Sequence, residues 1–316
     1  MVLIGLSAAF AATAGERITL KLAHDLERQH IVAVTFDRMA EEVKTLSNGE
    51  ITLRVYPNSQ MGNARDTMEL LQNGGLDMTK GSANLETFAE IYSVFSMPYL
   101  FNSKEHHDKV VYGPVGREIF ASTKDKGFFV IAAFDCGTRS YYAKKPILKP
   151  EDLAGLKIRV QASPTGLRMV ELTGGLPTPV AFSEVYTALQ QGVVDGAENN
   201  IPTWVHTRNI EVAKVYTENE HTMVPDFLAV STKSWDKLSR SHQEILLKAA
   251  ASAEDYQRKI WAEEMIDARR RAAEQGGTIV QVDKAPFRAR IQPIWDDYLK
   301  DPAHKAVVDR IWAADK

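Results

Sequence analysis

Apolar positions in the N-terminal part of the chain recur alternately with a period of two and with a period of three to four. Ile18–Ala23 alternates apolar and polar residues, which predicts a strand, and the apolar positions of residues 32–46 predict a helix. A strand at Ile51–Tyr56, a helix at 65–72 and a strand at 76–80 follow in the same way. This order indicates an α/β fold with a parallel sheet, in which ligands bind beyond the carboxyl ends of the strands.

The middle of the chain has a similar pattern, with predicted strands at 128–133, 140–143, 157–160 and 193–198 and predicted helices at 165–172 and 183–191. One short motif occurs twice, because residues 71–77 and 189–195 share Leu, Gln, Gly and Asp at the same spacing. Two interpretations stay open. Helix, glycine and strand often follow one another by coincidence, or the chain forms two lobes of similar topology with one shared cleft.

The longest predicted helix covers residues 242–275. It begins with a capping box, Ser241-His242-Gln243-Glu244, and ends ahead of Gly276-Gly277. At 1.5 Å per residue this helix is about 50 Å long, which exceeds the width of a small domain. We therefore expect it to cross both lobes and to brace them.

The length of 316 residues predicts two domains. The first lobe is expected to hold residues 15–138 and about 226–253, and the second lobe 139–225 and about 254–316. Residues 1–14 are uncharged, have a short apolar core and end in Ala-Thr-Ala, which resembles the later part of a secretory signal peptide. Since the positive n-region of such a signal is missing, we expect a truncated signal and a periplasmic protein.

Charge and cysteine content exclude several classes of function. The chain has 38 Lys and Arg against 41 Asp and Glu, a net charge of −3, which does not favour binding to nucleic acid. A single cysteine, Cys136, excludes an intramolecular disulfide and a cysteine-cluster metal site, and its expected role is that of a small buried residue. His106-His107-Asp108 is interpreted as a solvent-facing loop and not as a metal site. No motif for a nucleotide, metal or other cofactor is present, and none is expected to bind.

Three polar residues lie at the ends of predicted strands, where they could hold a ligand. Arg159 alternates with Ile158 and Val160, and its planar guanidinium suits bidentate binding of a carboxylate. Arg139, after the turn at Gly137-Thr138, has the same chemistry, and Asn199 offers both a donor and an acceptor. From the residues alone a structural role is open for each, namely an ion pair for the arginines and a loop contact for Asn199.

Residues 16–251 resemble the substrate-binding subunits of tripartite ATP-independent periplasmic (TRAP) transporters, the dicarboxylate-binding-protein family. The order and spacing of the matching segments are specific to that family. They are Gln60-Met61-Gly62-Asn63-Ala64-Arg65, Ser96-Met97-Pro98-Tyr99-Leu100-Phe101, Gly137-Thr138-Arg139, Lys145-Pro146-Ile147, residues 151–160 and Val194-Asp195-Gly196-Ala197-Glu198-Asn199. The resemblance implies a two-lobed periplasmic binding protein with a ligand cleft between the lobes.

The resemblance also implies roles for individual residues. Arg159 would form a bidentate salt bridge with the ligand carboxylate, and Arg139 and Asn199 would be the second and third contacts. Phe182 would line the cleft, and Asp25 would contribute from the first lobe. His24, beside Asp25, and Lys80 and Ser82, at the end of the third strand, are further candidates, and Gln161 is expected to bind a ligand hydroxyl.

The expected ligand is an organic acid. Residues 196–200 and 220–226 resemble those of relatives that bind sugar acids such as hexuronates, and the charge of Asp25 would repel a second carboxylate unless Lys80 neutralises it. His221 and Asp226 are expected near the hinge or the site. The alternative is a receptor of the same family for a C4-dicarboxylate or a keto acid.

Two further classes of function stay open. A sugar-acid lyase or isomerase would use Asp25, His24 or Lys80 as its general base, although the missing metal site does not favour an enzyme. A sensor accessory protein would bind the same ligand and pass the signal to a receptor. The preferred hypothesis is a monomeric solute receptor that delivers its ligand to the small and large TRAP membrane subunits.

Overall fold

The computed structural model describes residues 17–315 of the chain. The strands within this part are β1 (Ile18–Ala23), β2 (Ile51–Tyr56), β3 (Met78–Gly81), β4 (Phe128–Phe134), β5 (Arg139–Ala143), β6 (Lys157–Val160), β7 (Leu176–Pro179), β8 (Gly196–Asn199), β9 (Val215–Thr222), β10 (Asp226–Ser231) and β11 (Thr278–Gln281). The predicted signal at residues 1–14 lies outside the described residues.

The α-helices of the described part are α1 (Ile31–Leu46), α2 (Ala64–Asn73), α3 (Ser93–Ser96), α4 (Lys104–Val111), α5 (Pro114–Ala121), α6 (Pro164–Leu172), α7 (Val185–Gln190), α8 (Ile201–His206), α9 (Thr232–Trp235), α10 (Arg240–Glu274), α11 (Ala285–Tyr298) and α12 (Pro302–Ala313). Short 3-10 helices occupy Ala83–Thr87, Glu90–Tyr92, Lys124–Lys126, Pro150–Leu153, Phe182–Glu184 and Asn209–Glu211. None of the helices within residues 17–315 has the length and apolar character to span a membrane.

The strands form two sheets, and each sheet defines a lobe. The first lobe contains the order β2-β1-β3-β10-β4 and the second lobe the order β11-β9-β5-β8-β6-β7. Strands β1, β2 and β3 are parallel, as predicted, but β10 runs antiparallel to β3 and β4, and β5 runs antiparallel to β8 and β9. Both sheets are therefore mixed, and the predicted α/β fold with two lobes is confirmed with this correction to its wholly parallel sheet.

The chain crosses between the sheets more than once. Residues 135–138 lead from β4 to β5, and residues 223–225 return from β9 to β10. Helix α10, about 52 Å long at 1.5 Å per residue, packs on α1 and β4 in the first lobe and on α8 in the second. Its N-cap is Ser239, whose hydroxyl accepts from the amide of His242 at 3.2 Å, so the predicted cap at Ser241 is wrong by two residues.

The C-terminal tail packs on both lobes. Helix α11 lies against α6 of the second lobe, whereas α12 lies against α3 of the first, where Arg310 donates two hydrogen bonds to Glu118. The same helix buries the predicted surface loop, because His106 lies on α4 and its Nε2 is 2.8 Å from the carbonyl oxygen of Ile311. The solvent-facing interpretation of His106-His107 is thus wrong. The predicted lobe boundaries, with the whole tail in the second lobe, stay a prediction.

The repeated motif has the same local structure in both lobes. Gly74 and Gly192 adopt left-handed φ angles of 78° and 72°, which suit a residue without a side chain at the turn after α2 and α7. Asp77 then accepts from the amide of Lys21 at 2.7 Å, and Asp195 accepts from the amide of Lys157 at 2.8 Å. Each aspartate therefore binds the first turn of a neighbouring parallel strand, which sets the register of the two strands that end at the cleft.

Candidate functional site

A cavity of about 260 Å³ lies between the two lobes, beyond the carboxyl ends of β1 and β6. This volume is near the lower end of the range for small-molecule pockets. Seven of the nine predicted site residues line it: Asp25, Lys80, Arg139, Arg159, Gln161, Phe182 and Asn199. The sequence-based prediction therefore brings residues from both lobes to one place.

Arg159 is a buried cation without an anionic partner among residues 17–315. It lies on β6 between β7 and β8 and is 2% exposed. Its Nε donates to the carbonyl oxygen of Val180 at 3.0 Å, and no protein acceptor within the described part binds its two terminal nitrogens. Burial lowers the pKa of Arg159, yet a guanidinium stays protonated in proteins. A carboxylate in the cavity would meet two parallel N–H donors and an uncompensated positive charge.

Arg139 is also buried, but its charge is already paired. Its Nε and one terminal nitrogen donate to the two carboxylate oxygens of Glu198 at 2.6 and 2.8 Å. Burial alone would raise the pKa of Glu198, but Arg139 and then His221 outweigh it and lower the pKa to about 2. The pair is therefore ionised and neutral in sum at any physiological pH, and Arg139 lines the cavity without a free charge.

Asn199 is held by Arg139 in one orientation. The Oδ1 of Asn199 accepts from Arg139 at 3.0 Å and from the amide of Asn200 at 2.9 Å, so its acceptor atom is used. The side-chain amide nitrogen has no protein acceptor among residues 17–315. Asn199 therefore offers donors to the cavity, which suit a carboxylate or hydroxyl oxygen.

The first lobe contributes a compact charge cluster. Lys80 on β3 places its Nζ 3.1 Å from Oδ1 of Asp25, which follows β1, and 3.4 Å from Oδ1 of Asp226, the first residue of β10. Burial opposes charge on all three side chains, but Asp226 and Asp25 raise the pKa of Lys80, and Lys80 lowers the pKa of Asp25. This cluster, Lys80 with Asp25 and Asp226, carries a net charge of −1 at neutral pH.

Direct contacts also join the two lobes beside the cavity. Glu86, in the 3-10 helix Ala83–Thr87 of the first lobe, accepts from the amide and the hydroxyl of Thr165 at 3.0 and 2.8 Å. Thr165 belongs to the first turn of α6 in the second lobe. Phe182 of the second lobe packs against the apolar core of the first. The lobes thus meet around the cavity, which is a closed arrangement.

Two predicted site residues do not line the cavity. His24 is 2% exposed and its ring lies on Phe36, with ring centroids 5.4 Å apart. Burial lowers its pKa to about 4, so it is a neutral core residue at neutral pH. Ser82 donates to the carbonyl oxygen of Pro225 at 3.3 Å and joins the first lobe to the crossing segment 223–225. Their position at strand ends is as predicted, but both side chains point to protein partners.

The sequence-based prediction missed several cavity residues, among them His30, Asn84 and Thr203. His30 precedes a helix and not a strand end, so the strand-end rule could not find it. Cys136, which was predicted to be a small buried residue, does lie on the cavity wall, and burial raises the pKa of its thiol. Within residues 17–315, no group of three or more His, Cys, Asp or Glu side chains is placed to hold a metal ion.

The family of this chain follows from its match to known proteins. Residues 22–301 match the family described as bacterial extracellular solute-binding protein, family 7, which covers most of the chain. The chain belongs to this family. It is a TRAP-type solute-binding protein, as the resemblance implied, and not an enzyme.

Two solved structures share both the fold and the two-lobed architecture. One is a TRAP periplasmic solute-binding protein from Xanthobacter autotrophicus Py2 with bound β-D-galacturonate, which is 36% identical, with a TM-score of 0.90 and coverage of 93% of this chain and 99% of that one. The other, from Anaerococcus prevotii, has bound D-glucuronate and is 33% identical, with a TM-score of 0.92 and coverage of 94% and 98%.

A curated relative has a different ligand in its name. The C4-dicarboxylate-binding periplasmic protein of Rhodobacter capsulatus is 33% identical over 285 residues, which cover 89% of this chain and 83% of that protein. Relatives at the same level of identity thus include sugar-acid and dicarboxylate receptors. The family establishes a solute receptor, and the residues of the cavity have to indicate the ligand.

Proposed function

We propose that this protein is the periplasmic receptor of a TRAP transporter for a hexuronate such as D-galacturonate or D-glucuronate. The observation that carries the proposal is the buried Arg159, whose terminal nitrogens have no protein partner among residues 17–315. A ligand carboxylate supplies the missing anion and takes two charge-assisted hydrogen bonds. Asn199, held with its amide nitrogen free, donates to the same end of the ligand or to a neighbouring hydroxyl.

The charge of the opposite wall supports a monocarboxylate. With Arg139 paired to Glu198, the second lobe contributes one free positive charge, that of Arg159. The cluster of Lys80, Asp25 and Asp226 contributes a net charge of −1 in the first lobe. A ligand with one carboxylate near Arg159 and uncharged hydroxyls near this cluster matches both walls. A second carboxylate there would meet like charge at low effective dielectric.

The remaining parts of the proposal follow from the family. The mature chain is exported by the signal at residues 1–14, acts as a monomer and delivers the hexuronate to the small and large membrane subunits. Ligand binding stabilises the closed lobes, and the membrane subunits distinguish the closed receptor from the open one by its shape. The contacts of Glu86 with Thr165 and of Phe182 with the first lobe support a closed state of this kind.

A thermal-shift screen followed by calorimetry tests the ligand. The panel contains D-galacturonate, D-glucuronate, the matching aldonates, a keto acid and the C4-dicarboxylates succinate and malate. A true ligand at 100 times its Kd adds about 2.7 kcal/mol to the free energy of unfolding. We expect the hexuronates to give the largest shift.

The matched variant for this screen is Arg159→Lys. It keeps the positive charge but loses the planar fork, so we expect a large loss of affinity for the same acid. A larger shift with succinate or malate than with any hexuronate would contradict the proposed ligand. It would favour the C4-dicarboxylate alternative.

A further inference from the structure

His30 lies on the wall of the cavity in an unusual role for a histidine. It is the N-cap of α1, and its Nδ1 accepts from the amide of Val32 at 3.2 Å. The side chain is 5% exposed and lines the cavity on the side of the first lobe. Ser, Thr, Asp and Asn are the preferred N-cap residues, so capping alone does not account for an imidazole at this position.

The cap fixes the proton of the ring. A nitrogen that accepts a hydrogen bond carries no proton, so the proton of the neutral ring lies on Nε2. Burial first, and then the charge of Lys80, lowers the pKa of His30 to about 3, which keeps the ring neutral at physiological pH. No acceptor among residues 17–315 binds Nε2. His30 therefore presents one N–H donor, with a fixed tautomer, from a buried position on the cavity wall.

We propose that His30 is a specificity-determining residue that donates its Nε2–H to an uncharged oxygen of the ligand, at the end opposite Arg159. The inference rests on the proposed function in that it uses the same cavity, but it requires only an acid with a hydroxyl or ring oxygen at that end. A hydroxyl accepts from one group and donates to another, so it satisfies both His30 and a carboxylate of the neighbouring Lys80 cluster.

The decisive variant is His30→Asn. Asparagine is a favourable N-cap, so α1 keeps its first hydrogen bond, but its side chain is too short to replace the Nε2–H donor. The probe is the acid that gives the largest thermal shift with the wild-type protein in the panel above. Calorimetry is expected to show a Kd about 10 to 100 times higher, because a buried ligand oxygen loses its donor. The melting temperature without ligand is expected to stay near that of the wild type.

His30→Ala serves as the comparison variant. It removes the cap as well as the donor, so we expect the same loss of affinity together with a lower melting temperature without ligand. If His30 only caps the helix, the two variants differ in the opposite way. His30→Asn would then bind like the wild type, and that result would overturn the proposal.

A spectroscopic measurement separates direct contact from a structural effect. In the protein labelled with ¹⁵N-histidine, the ring signals missing from His30→Asn identify His30, and we expect the Nε2–H tautomer. The Nε2 signal should shift when the acid is added to saturation, since the new acceptor changes its environment. A signal that does not move at saturation contradicts the contact.

The two proposals fail separately. A C4-dicarboxylate as the best binder overturns the hexuronate assignment, while the effect of His30→Asn on that binder still decides the role of His30. An unaffected hexuronate Kd in His30→Asn overturns the role of His30 and leaves the hexuronate assignment standing. A panel with no binder at all contradicts both.

Discussion

Each lobe places a buried cation at a strand that ends at the cleft, and the two cations differ in their partners. Lys80 of the first lobe lies within 3.4 Å of two carboxylates, Asp25 and Asp226, whereas Arg159 of the second lobe has no anionic partner among residues 17–315. The local frames are alike, because Asp77 and Asp195 fix the strands in the same way. The difference therefore lies in the long-range partners, and it marks the second lobe as the one that binds the anion.

The same contrast occurs within the second lobe. Arg139 and Arg159 are 5% and 2% exposed, so burial does not distinguish them. Glu198 neutralises Arg139, and nothing within the described part neutralises Arg159. A paired buried charge belongs to the structure of the wall, because removing one partner leaves an uncompensated charge. An unpaired one is available for a ligand, and replacing each arginine should have opposite consequences.

Arg159→Met is expected to have the largest effect on binding. The ligand loses two charge-assisted hydrogen bonds, so affinity for the best acid should fall by about 10² to 10⁴-fold. The free energy of unfolding without ligand should stay the same or rise, because a buried guanidinium with a single hydrogen bond is replaced by an apolar side chain of similar length. Calorimetry and urea denaturation check the two parts. A strongly destabilised variant would mean that Arg159 has a structural partner.

Arg139→Met is expected to act first on stability. Glu198 would keep a buried carboxylate without its main partner, which costs about 3–5 kcal/mol in the free energy of unfolding. The control is the double variant Arg139→Met with Glu198→Gln, which removes the unpaired charge and should recover a large part of the loss. Urea denaturation of both proteins is the measurement. Equal stability of the single and double variants would contradict the pairing argument.

Asp226→Asn is expected to change selectivity and not the site for the carboxylate. It makes the cluster with Lys80 and Asp25 neutral, so a ligand with a second carboxylate meets less repulsion. D-Galacturonate and galactarate form a matched pair that differs in one end group. We expect the galactarate affinity to rise about tenfold relative to galacturonate. Asp25→Asn should shift the ratio in the same direction, and an unchanged ratio in both variants would show that the cluster does not face that end of the ligand.

The sequence predicts this comparison only in part. Strand ends can be read from the alternation of apolar residues, so Arg159, Arg139, Lys80 and Asn199 could be found. Which arginine is paired depends on the antiparallel pairing of β5 with β8, which brings Glu198 beside Arg139 across 59 positions of the chain. The sequence pattern does not specify that pairing.

Two further errors have the same cause. Lys80 meets Asp226 across 146 positions of the chain, because β10 returns from the second lobe to pair with β3. His106 is buried by α12, about 200 residues later in the chain, although its own helix is polar. Periodicity reports local burial on one element. It contains no information on which distant segment covers that element.

Glu86→Ala is expected to give the smallest effect, because it acts on contact between the lobes and leaves both walls intact. The amide and hydroxyl of Thr165 lose their acceptor at the start of α6, so the closed form becomes less stable by about 1 kcal/mol and affinity falls several-fold. Burial raises the pKa of Glu86, which makes Glu86→Gln a milder, uncharged control that keeps one acceptor. Stopped-flow fluorescence should show faster ligand release in Glu86→Ala with little change in selectivity between galacturonate and galactarate. A changed selectivity would place Glu86 at the ligand itself and would weaken the contrast between a binding wall in each lobe and a separate contact that closes them.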